Sequence, residues 1–118
     1  MFYINIIFIE LKGWANQLQY IDTEVDKLLN LYAQSIYHQE VPKNILTLFS
    51  KRKEANTQLL YAILSYTNNY KKVSECDNIQ CDMAFLVEYE RLRKSYQYHI
   101  SKYQKLKDSL YNMAFQKI

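Results

Sequence analysis

One glycine, Gly13, and one proline, Pro42, are all that a chain of 118 residues offers for sharp reversals. Sheet proteins place such residues at most of their turns and strand ends. This chain therefore has few turns, and the stretches between them must be long helices. The length is that of a single domain, residues 1–118, with a modest core relative to its surface.

Apolar side chains then define the helices by their spacing. In the first segment, Ile4, Ile7, Leu11, Trp14, Leu18, Ile21, Val25, Leu28 and Tyr32 follow one another by three or four residues without a break. That alternation is the seam of a helix packed lengthwise on others. Leu29 and Ile36 widen the stripe to the breadth of a helix that faces two neighbours. Gly13 lies off the seam and leaves its register unchanged, which favours one continuous helix over an extended arm ending before Trp14.

The second segment opens at Pro42, tolerated in a first helical turn because its missing N–H would have no intrahelical acceptor there. Its seam runs Ile45, Phe49, Arg52, Asn56, Leu59, Ile63, Tyr66, Tyr70 and Val73. Arg52 and Asn56 interrupt it with polar groups, a gap that either accepts a partner or fixes register through buried polar contacts. A locally shifted register, with Leu48, Ala55 and Leu59 inward, is the alternative.

Before the third segment, Asp77 and Gln80 have capping-box spacing, and Cys76 and Cys81 take the two positions of the hydrophobic staple that accompanies it. The thiols are thus expected side by side for packing, and two cysteines do not make a tetrahedral metal site. The third seam reads Tyr89, Leu92, Tyr96, His99, Tyr103, Leu106, Leu110 and Met113, with tyrosine at every seventh position from 89 to 103. A buried phenol needs a partner for its hydroxyl. Water or polar groups of the second helix, Arg52 and Asn56 among them, are the expected partners. Helices over about 3–37, 43–74 and 78–116 would each be roughly 50 Å long. The fold class predicted is all-α, an elongated antiparallel three-helix bundle of coiled-coil-like character.

Charge separates the segments. Residues 1–40 carry two basic and five acidic groups, 41–76 six and two, and 77–118 seven and five, for a net +3. An acidic first helix beside two basic ones accounts for this polarity internally. The run from Phe2 to Ile9 is too short to span a bilayer, has no basic leader and is followed by no small-residue cleavage site, so a cytoplasmic protein with no membrane span is expected.

Chemistry is constrained mainly by exclusion. A single glycine cannot build a phosphate-cradling loop. A carboxylate-bridged di-iron bundle uses Glu-x-x-His on two helices, whereas Ser35 and Tyr96 stand three before His38 and His99. No cofactor, metal or catalytic residue is expected.

Arg93 and His99, separated by five residues on the third helix, have the R-x(4-6)-H spacing that resembles the HEPN family of small all-helical ribonucleases. The resemblance covers these two positions, and implies RNA cleavage by paired motifs in a dimer cleft. In that family a polar uncharged or acidic residue commonly follows the arginine; here it is Lys94. Six helical positions also set the two side chains about 120° apart on one straight helix.

Basic residues cluster at Lys51, Arg52 and Lys53 and again at Arg91, Arg93, Lys94, Lys102, Lys105 and Lys107, with Tyr98 and Tyr111 interleaved. Positive charge beside aromatic rings suits RNA or DNA; a solvated helix face carrying Glu54, Glu88, Glu90 and Asp108 is the plainer alternative. The leading expectation is a non-enzymatic interaction protein, adaptor, chaperone-like or regulatory, that binds a protein partner or itself. Phe2, Ile6, Phe8 and Ile9 lie off the first seam and supply surplus apolar surface for that contact, with Arg52 and Asn56 as the polar gap.

Overall fold

The computed structural model describes residues 2–34, 43–69 and 79–116, with side chains over 6–31, 44–69 and 82–112. It is a three-helix bundle: α1 (Phe2–Gln34), α2 (Lys43–Asn68) and α3 (Ile79–Gln116). The molecule measures 60 × 20 × 18 Å, a rod of three helices laid lengthwise.

The seam of α1 is buried as its spacing predicts. Ile7, Leu11, Trp14, Leu18, Ile21, Val25 and Leu28 all enter the core, and Leu29 packs against it half-buried. Gly13 is part of the helix, which begins at Phe2, so the extended-arm alternative does not hold. A Cβ added at Gly13 would meet no atom within 4 Å. Packing therefore does not require glycine here, and it weakens the helix by about 1 kcal/mol relative to alanine.

On α2, Phe49, Asn56, Ile63 and Tyr66 are buried and Ile45 and Leu59 pack against them half-buried. Leu48 is 44% exposed, which rules out the shifted register. On α3, Phe85, Leu92, His99, Tyr103 and Leu110 are buried, while Tyr89, Tyr96 and Leu106 flank them. The capping box at Asp77, the thiols of Cys76 and Cys81, and the connections through Pro42 and Val73 lie outside the described residues.

The helices run up, down and up. Asn56 of α2 meets Leu18 of α1 and His99 of α3, and Tyr66 stacks on Phe85 with ring centroids 4.6 Å apart. α2 packs its backbone closely on both other helices, whereas α1 and α3 meet chiefly through long side chains. Trp14 lies against Tyr89 and Tyr96 at 5.7 and 4.9 Å between ring centroids, nearly parallel to both at 9° and 16°.

The tyrosine hydroxyls differ from expectation. Tyr89 donates to Glu10 at 2.5 Å and Tyr103 to Glu24 at 2.6 Å, so their acceptors are carboxylates of α1 rather than groups of α2. The acidic character of α1 explains this, since anionic oxygens accept more strongly than neutral ones. The same polarity appears in cross-helix ion pairs, Asp26 with Lys53 of α2 and Glu24 with Lys107 of α3 at 2.9 Å.

Candidate functional site

The polar interruption of the α2 seam is filled from inside the bundle. Asn56 is completely buried. Its Nδ2 donates to the carbonyl of Leu18 at 2.7 Å, which leaves Oδ1 as the acceptor facing His99 Nε2 at 2.8 Å. His99 must therefore carry its proton on Nε2, and Nδ1 is left as a bare lone pair. Burial, followed by the nearby positive charge of Arg52, lowers the His99 pKa to about 4. The imidazole is neutral at pH 7. Nδ1 is itself buried and has no hydrogen-bond partner among the described residues.

These contacts correct the expectation for Asn56. It fixes register across all three helices and presents nothing to an external partner. Arg52, by contrast, is half-buried at the rim of an open groove of about 540 Å³ between α2 and α3, together with Arg91, Lys94, Tyr98 and His99.

Arg93 and His99 are not brought together. Arg93 pairs with Glu90 at 3.1 Å on the outer face of α3, while His99 is buried against Asn56. A neutral imidazole so enclosed cannot reach the phosphate that Arg93 would hold, and the spacing shared with the ribonucleases has no matching geometry in this chain.

At the opposite extreme from the buried polar pair lies the start of α1. The side chain of Phe2 is outside the described residues. Phe8 is half-buried, with the Lys12 ammonium 4.8 Å from its ring centroid. Ile6 is exposed, and Ile9 is exposed to 70%. Antiparallel packing brings the end of α2 and the start of α3 to the same pole, where Leu64, Met83 and Val87 are exposed too, Val87 to 70%. Sequence reading missed these three. Their signal was present, since each is apolar and lies off the three-four seam of its helix.

Ion pairing sorts the basic residues. Lys53, Arg91, Arg93 and Lys107 each hold a carboxylate. Lys51, Arg52, Lys94, Lys102 and Lys105 hold none among the described residues. No group of three or more His, Cys, Asp or Glu suited to a metal occurs among the described residues, and no described helix is long and apolar enough to cross a membrane. No family model, curated protein or solved structure matches the chain.

Proposed function

We propose that this chain is a non-enzymatic, cytoplasmic interaction module that self-associates through the apolar pole of its bundle. The observation that supports the reading is the exposure of Ile6, Ile9, Leu64, Met83 and Val87 where α1 starts, α2 ends and α3 starts. Isolated exposed apolar groups are ordinary, whereas several gathered at one place favour a contact. A second copy is the simplest occupant, because a two-fold pairing lets one patch cover itself.

Light scattering coupled to gel filtration tests the proposal. The parent chain is expected as a dimer, and the double substitution Ile9→Glu, Val87→Glu as a monomer of unchanged helicity. Both positions are mostly exposed, so the charges do not disturb the core. A monomeric parent over a wide concentration range would remove the assignment.

A further inference from the structure

We infer that the α2–α3 face binds single-stranded nucleic acid along a cationic stripe centred on Tyr98. Arg91, Lys94, Tyr98, Lys102 and Lys105 succeed one another by three or four residues, which places them on one face of α3, and all five are exposed. No Asp or Glu occurs between Arg91 and Lys107. Arg52 of α2 adds to the same side, since it lines the groove with Arg91, Lys94 and Tyr98.

Ion pairing distinguishes this stripe from the other basic residues of α2 and α3; on α1, Lys27 also holds no carboxylate among the described residues, and Lys12 lies over the Phe8 ring. Lys53 and Lys107 are taken by Asp26 and Glu24 of α1, and Arg93 by Glu90. Within the stripe only Arg91 has a carboxylate, Glu88. Glu54 forms no ion pair among the described residues, and Asp108, one turn beyond Lys105, accepts from Gln104. The unpaired cations of α2 and α3 thus lie where an aromatic ring is also open. Tyr98 is 60% exposed, with the Lys102 ammonium 5.4 Å from its ring centroid.

Single strands are held by this combination, positive charge for the backbone and a ring on which a base stacks. From Arg91 to Lys105 the helix rises about 21 Å, the length of about six stacked nucleotides at 3.4 Å each. Phosphates lie against Lys94, Lys102 and Arg52, and one base stacks on the free face of Tyr98. A run of acidic side chains such as polyglutamate would meet the same cations but offers no aromatic ring to stack, which makes Tyr98 the discriminating residue. This inference uses a different face from the apolar pole and does not depend on self-association.

The test is fluorescence anisotropy of labelled octauridylate and octathymidylate titrated with the full chain at about 20 mM salt and upward. Saturable binding is expected, with log affinity falling linearly in log salt. Lys94→Ala with Lys102→Ala should make that slope shallower by about 1.4, at about 0.7 per phosphate contact. Tyr98→Ala should weaken binding at least about fivefold, whereas Tyr98→Phe keeps it. Arg93→Ala should bind as the parent does. Circular dichroism of each variant checks that the bundle is intact. Absence of saturable binding at the lowest salt overturns the inference. So does a Tyr98→Ala protein that binds like the parent while polyglutamate competes equally, the behaviour of a site for acidic peptides.

Discussion

At the scale of single residues, Asn56 and His99 carry the most stringent requirement in the molecule. Asn56→Ala leaves the Nε2–H of His99 buried without its acceptor and should cost about 2–3 kcal/mol in urea unfolding. Replacing both residues by leucine should recover most of that loss, because no unsatisfied polar group is then left behind. The imidazole also gives the bundle a pH dependence. With a folded pKa of about 4 against an ordinary 6.5, the unfolded chain binds the proton first as pH falls. The contribution of His99 is complete above pH 6.5 and declines toward pH 4, by about 3 kcal/mol in all. Unfolding midpoints measured across that window should fall for the parent and stay flatter for His99→Gln. The seam spacing placed His99 in the core and put Asn56 on the α2 seam, but left open whether that polar position is buried or faces a partner. It could not pair them, because pairing depends on how far one helix slides along another, and that offset is set outside the seams.

At the scale of whole elements, α1 and α3 are joined by rings and carboxylates more than by close backbone packing. Glu24 accepts from Tyr103 and Lys107 of α3 and from Tyr20 of its own helix, at 2.6, 2.9 and 2.9 Å. Burial alone would raise its pKa, yet the hydrogen bonds from Lys107, Tyr103 and Tyr20 bring it below the ordinary carboxylate value. Tyr89, half-buried and hydrogen-bonded to Glu10, is pushed up to about 12. Glu24→Ala strips the buried Tyr103 hydroxyl and Lys107 of their acceptor and should cost about 2 kcal/mol. Tyr103→Phe, which removes one donor and leaves Glu24 its other partners, should cost about 1 kcal/mol. Urea unfolding distinguishes the two. The seam of α1 was legible residue by residue because apolar periodicity reports burial directly. The direction of the tyrosine hydroxyls was not, since a helical wheel shows which side chains turn inward but not which of two neighbours they reach.

For the whole molecule, shape matters as much as packing. The radius of gyration is 18.2 Å, whereas a compact domain of this length has about 13 Å. A single copy should therefore elute from gel filtration as though it were substantially larger, and small-angle scattering of a monomeric variant such as Ile9→Glu, Val87→Glu should return a value near 18 Å. The exposed pole and the cationic stripe were only half legible at this scale. Ile6, Ile9, Lys94 and Lys102 could be singled out in the sequence, but grouping them with Leu64, Val87 and Arg52 required knowing which ends and faces the bundle brings together.

The indole of Trp14, the one tryptophan in the chain, lies within 6 Å of two phenols contributed by a different helix. Light absorbed by Tyr89 or Tyr96 should consequently be emitted by Trp14 whenever α1 and α3 are docked. Tyr20 of α1 itself also transfers. The ratio of emission excited through tyrosine to that excited directly at the indole, less the share that remains in Tyr89→Phe with Tyr96→Phe, thus reads the closure of those two helices without a label.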